Sequence, residues 1–166
     1  MTEPLAELFS KLPQYLGWHL FITTLSLALG IFISLPLGVF AARRPLLRWP
    51  ALAFAGVLQT VPALAFLALW VAVLFGINES VQSLWGPDAP HIRAIGFLPT
   101  IIAMTLYSML PILRNTITGI LGVEASLIEA ADALGMRPGQ RLWKVELPLA
   151  APIILAGIRT ATVWTV

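Results

Sequence analysis

Apolar residues run almost unbroken through four stretches of this chain, and the polar ones collect between them. The stretches are 16–42, 51–77, 95–113 and 147–166. Each reaches the roughly 20 residues needed to cross a hydrocarbon core about 30 Å thick. The first two are 27 residues each, about 40 Å as helix, which predicts tilt or kinks, with Pro36 and Pro62 as kink sites. Nothing alternates with a period of two, and lipid leaves an open strand's backbone unsatisfied, so the spans are predicted as helices. The fold class that follows is all-α: a polytopic transmembrane helix bundle forming one domain over 1–166. Ahead of the first span, Leu5, Leu8, Phe9 and Leu12 recur at helical spacing, with Glu7 and Lys11 an i,i+4 pair. They predict a short helix lying in the membrane interface and stopped by Pro13.

Composition strengthens this picture. Hydrophobic residues make up 58% of the chain and charged ones 11%, against about a quarter charged in a soluble domain. So few charges cannot cover a water-facing surface, and lipid must cover much of it. The net charge of +2 is too slight for a nucleic-acid footprint. Cysteine is absent, which excludes disulfides and thiolate metal sites. The start, with Glu3, Glu7 and Lys11, lacks the basic opening of a cleaved secretory signal.

Loop charges give an orientation. Arg43, Arg44 and Arg48 lie between the first two stretches, and Arg114, Arg137, Arg141 and Lys144 between the last two. Only Lys11 and Arg93 fall on the opposite side. Because basic loops stay in the cytoplasm, the N-terminus is expected outside, with 43–49 and 114–146 inside. The chain then stops at Val166 within an apolar helix, with no basic flank. It is expected to be truncated, with at least one further span missing.

The connection 114–146 is unusually long. Leu127, Ala131 and Leu134 share a helical face with Ala130 beside them, while Glu124, Glu129 and Asp132 stay polar. Gly135 follows at a position suited to a left-handed helix end. Arg137-Pro138-Gly139 forms a turn, and Pro138 suits the start of a second short helix that leads to Leu147-Pro148. The result is a two-helix elbow whose small residues permit close docking.

Glu129-Ala130-Ala131, Gly135 four positions on, and Leu147-Pro148 twelve beyond that glycine resemble the EAA loop of ABC importer permeases. Val145 stands where that pattern has isoleucine. The segments Gln59-Thr60-Val61-Pro62-Ala63-Leu64-Ala65 and Gly157-Ile158-Arg159-Thr160-Ala161-Thr162-Val163-Trp164-Thr165-Val166 further resemble permeases for glycine betaine, choline and carnitine. The resemblance implies import of a quaternary ammonium osmoprotectant handed over by an extracytoplasmic solute-binding protein. Two permease subunits would form the path, and a cytoplasmic ATP-binding subunit, carrying ATP and Mg, would drive it. This chain would bind no cofactor itself. Glu129, Ala130, Ala131, Leu134, Gly135 and Arg137 would couple to the ATPase. Another solute, such as an amino acid or phosphonate, remains open within the superfamily, as does an ATPase-independent channel or scaffold.

Several residues carry two readings each. Arg159, about 17 Å into the last span, either lines the path or serves structure and gating across a subunit interface. Gln59, Thr60 and Pro62 either open a cavity or form a packing kink. Tyr107 and Ser108 line the path or bond between helices. His19 reads as an interfacial hydrogen-bonder. The outer loop with Glu79, Trp85, Asp88, His91 and Arg93 receives the binding protein or is simply solvated. The sequence has no phosphate-binding Gly-Lys-Ser/Thr loop, no paired histidines and no carboxylate within a span, so an enzyme is not expected.

Overall fold

The computed structural model describes residues 3–58, 60–86, 90, 93 and 95–166. Its described residues form helices joined by short turns. In chain order these are α1 (Glu3–Arg43), α2 (Pro45–Leu58), α3 (Ala63–Trp85), α4 (Phe97–Leu121), α5 (Ala125–Ala133) and α6 (Pro138–Arg141). A single turn of π-helix (Leu142–Glu146) then leads into α7 (Leu147–Thr165). Among the described residues four helices are long and apolar enough to cross a bilayer: Phe9–Arg43, Leu64–Trp85, Phe97–Leu121 and Pro138–Thr165.

α4 is the central helix and packs against both α1 and α7. Small and hydroxyl residues make this packing close, as expected where lipid competes with protein for apolar contact. Ser26, Ser34, Ser108 and Thr116 are fully buried. Their hydroxyls mostly bond backbone: Ser34 donates to the Met109 carbonyl at 3.3 Å, and Thr116 to Ile112 at 2.8 Å. At the far end of the bundle from α5, Thr23 on α1 donates to the Thr165 carbonyl on α7 at 3.2 Å. His19 Nε2 lies 3.1 Å from the Val166 carbonyl oxygen. Glycines set the approach distance. A methyl group on Gly157 would sit 2.6 Å from Asn115 Cβ and 2.8 Å from the Pro111 carbonyl oxygen, so α7 rests on α4 only because that methyl is missing.

Three element boundaries differ from the sequence reading. Pro13 does not stop a separate interfacial helix, since α1 passes through it and continues to Arg43. A proline removes one ladder hydrogen bond, a loss that helices in apolar surroundings tolerate. The second apolar stretch is two helices. α2 begins upstream at Pro45 and takes in Arg48, whereas α3 continues past Ile77 to Trp85. Ser80 and Ser83 hydroxyls donate to the Gly76 and Ser80 carbonyls within this extension, both at 2.8 Å. The two helices part at Thr60-Val61-Pro62, where Pro62 is extended (φ −56°, ψ 141°) and precedes the first turn of α3. Finally, α4 outlasts its apolar stretch and ends at Leu121, so the elbow proper is shorter than 114–146.

Candidate functional site

The elbow is built as its residue types dictate. α5 ends in a pair of backbone bonds, Met136 N–H to the Ala131 carbonyl (3.1 Å) and Gly135 N–H to Asp132 (2.9 Å). This double bond requires a left-handed residue at the turn, and Gly135 has φ +71°. The space around Gly135 is open, so a side chain there meets backbone strain rather than a clash. Pro138 opens α6, and the Arg137 N–H is capped by Gln140 Oε1 at 2.9 Å. Of the residues proposed for coupling, Ala131 turns inward and is buried, while Glu129, Ala130, Leu134, Gly135 and Arg137 are exposed. Leu134 is 77% exposed and Trp143 73%. These large apolar groups stand out of the elbow.

A chain of ion pairs ties this elbow to the bundle, and sequence reasoning did not find it. Glu146, the last residue of the π turn, is buried at 2% exposure. Its Oε2 accepts from Arg43 Nη2 at the end of α1, and its Oε1 from Arg141 Nε at 2.9 Å. Arg141 Nη1 reaches both oxygens of Asp132 on α5, at 2.7 Å each. The order is therefore α1, π turn, α6, α5. A buried carboxylate is tolerable only when its lone pairs are occupied, and both oxygens here have a guanidinium partner. One sequence signal for it existed: Glu146 is a carboxylate two residues from Pro148, at the edge of an apolar run.

The residues assigned to the path do not form one group. Tyr107 on α4 lies at the α2–α3 break, its hydroxyl donating to the Val61 carbonyl at 3.3 Å. Its ring centroid is 5.7 Å from that of Phe66 on α3 and 5.6 Å from that of Trp164 on α7. Thr60 and Pro62 belong to the same break, whereas Gln59 lies outside the described residues. Ser108 is packed against α1, 3.5 Å from the Ser26 carbonyl oxygen, and serves packing. Arg159 is exposed on α7 and makes no ion pair among the described residues. Glu79 and Trp85 belong to α3, Arg93 is exposed, and Asp88 and His91 lie outside the described residues.

Comparison with known proteins agrees with this architecture. The sequence profile of the binding-protein-dependent transport system inner membrane component matches residues 34–166. The glycine betaine/carnitine/choline transport system permease protein OpuCB of Bacillus subtilis is 38% identical over 150 residues, covering 90% of this chain and 60% of that protein. The choline transport system permease protein OpuBB of the same organism is 37% identical over 148 residues (89% and 59%). The osmoprotectant import permease protein OsmW of Salmonella typhimurium is 40% identical over 148 residues (89% and 62%). The chain thus spans about three-fifths of the length of these relatives. Four apolar helices, an elbow before the last of them and a profile match over most of its length make this multi-pass membrane chain a member of the family of binding-protein-dependent transport system inner membrane components.

Proposed function

We propose that this chain provides the membrane path of an ATP-driven importer for a quaternary ammonium osmoprotectant such as glycine betaine, choline or carnitine. The observation that carries the reading is the exposed elbow joined by ion pairs to the end of α1 and to the start of α7. A push on α5 reaches two spans through charged contacts and short covalent links. In the working transporter a cytoplasmic ATP-binding subunit grips the elbow and performs the hydrolysis with its own ATP and Mg. A second permease subunit completes the path, and an extracytoplasmic binding protein delivers the solute. Closure of the ATPase tilts the spans, so that the path opens alternately to either side. The relatives' printed names, which include glycine betaine, choline and carnitine, support the solute class.

Orientation is the first test. The sequence contains no cysteine, so a single Leu134→Cys variant gives an unambiguous label. A membrane-impermeant maleimide is expected to label it in inside-out vesicles and not in intact cells. Labelling from outside would remove any contact with a cytoplasmic ATPase and overturn the reading.

Gly135 is the second test. A valine forced to φ +71° costs about 1–2 kcal/mol of backbone strain and opens the α5 terminus. Gly135→Val is expected to insert normally, to hydrolyse ATP in the assembled transporter, and to lose most solute uptake. Uptake per ATP equal to the parent's would count against the elbow as the coupling element.

A further inference from the structure

Beside the α2–α3 break lies a cavity of about 150 Å³, bounded by three helices. Phe66 and Leu67 of α3, Ala103, Met104 and Tyr107 of α4, and Trp164 of α7 form much of its wall. Among the described residues no charged side chain lines it. The hydroxyls of Thr100 and Thr165, at its edge, already donate to the Gly96 and Ala161 carbonyls at 2.8 and 2.9 Å. The cavity therefore offers aromatic rings and aliphatic surface, with no hydroxyl hydrogen left to give.

Its depth is also informative. Tyr107 is fourteen residues from the elbow end of α4 and Trp164 seventeen from the start of α7, or roughly 21 and 26 Å of helix rise. Counted from the elbow end, the two helices put the aromatic cluster in the far half of a hydrocarbon core about 30 Å thick. Irregular backbone at such depth persists where it lines a cavity or is buried in protein. The bond from the Tyr107 hydroxyl to the Val61 carbonyl anchors the break at this cavity.

From this arrangement we propose that Phe66, Tyr107 and Trp164 form a transient binding station for the trimethylammonium head of the solute, partway along the membrane path. The inference rests on the importer reading above and names a site within it. A quaternary ammonium has no N–H, so it asks for no acceptor from this wall. Its charge is spread over methyl groups, which suits ring faces within about 6 Å. A primary ammonium of similar size would exchange three hydrogen bonds to water for at most the few hydroxyl oxygens at the cavity edge. Arg159 is not among the residues that line the cavity. It stands five residues before Trp164, about 140° around α7 and some 7.5 Å along it.

The test uses the assembled transporter in nanodiscs, without nucleotide or binding protein, and radiolabelled choline as probe. Direct binding is expected, with ethanolamine and the neutral carbon isostere 3,3-dimethylbutanol displacing it at least tenfold less well than choline. Trp164→Leu is expected to weaken binding about tenfold, and Trp164→Phe much less. Because truncation could disturb packing, fluorinated tryptophans placed at 164 supply a shape-preserving series. Affinity should fall stepwise as fluorine drains the ring face. An affinity flat across that series, or equal displacement by the neutral isostere, overturns the station. If the parent transporter takes up choline or glycine betaine yet binds none directly, the station fails while the importer reading stands. If it takes up no quaternary ammonium at all, the solute assignment fails and the station falls with it.

Discussion

Glu146→Ala is expected to abolish most solute uptake while the assembled transporter still reaches the membrane and hydrolyses ATP. The carboxylate is the joint between α1 and the elbow, with Arg43 on one oxygen and Arg141 on the other. Breaking a buried ion pair on one side costs about 3–5 kcal/mol when the remaining charge stays buried. Here the cost should fall toward the lower end, because the Arg43 side chain is 33% exposed and can recover water. Arg43→Ala leaves Glu146 with Arg141, so its effect should be smaller and in the same direction. Asp132→Ala removes a partner whose side chain is 52% exposed, and pairs of that kind contribute at most about 1 kcal/mol. The measurement is solute imported per ATP hydrolysed in proteoliposomes, with the three variants ranked. A Glu146→Ala transporter with the parent ratio would show that force reaches the spans by another route.

Gly157→Leu should have the largest effect on stability. The first added carbon would already lie 2.8 Å from the Pro111 carbonyl oxygen, a backbone atom that cannot swing aside. The rest of the side chain must then force α7 off α4. Overpacking of this sort costs about 1–3 kcal/mol and sometimes more, a large part of the 5–15 kcal/mol that holds a typical protein together. Gly17→Leu is the matched control, since a side chain there meets nothing within 4 Å. Thermal unfolding in detergent should show a clear drop for Gly157→Leu and no drop for Gly17→Leu. Equal behaviour of the two would mean that the α4–α7 contact contributes little.

Much of this architecture was legible because lipid imposes a simple requirement. Runs such as 16–42 have no stable alternative to helix in a bilayer, and their composition shows it directly. The ends of the two short helices were legible for a different reason. Gly135 and Pro138 are residues whose backbone preferences mark a helix end and a helix start, and each sits in that place. Boundaries were harder. Helices such as α3 and α4 run on into polar sequence, and a hydropathy pattern marks where lipid ends rather than where hydrogen bonding ends. The ion-pair chain was the least accessible part. Arg43 and Glu146 are 103 residues apart, and no local spacing predicts that they meet. The same holds for Phe66, Tyr107 and Trp164, each an ordinary aromatic in its own helix until packing brings the rings together.

The π turn at Leu142–Glu146 has a consequence for the whole of α7. Such a turn holds one residue more than an α-helical one, and each residue advances a helix by about 100°. It therefore acts as a phase shifter between two surfaces with incompatible periodicities. On one side the elbow needs Arg141 aimed at Asp132. On the other, α7 must aim the stripe Ala150, Ile154, Gly157, Ala161 and Thr165 inward. An uninterrupted α-helix could satisfy one of these alignments and would leave the other rotated by roughly a quarter turn. Removing a single residue from this segment would thus rotate the elbow out of phase with the inward stripe of α7, although no contact in either had been altered by substitution.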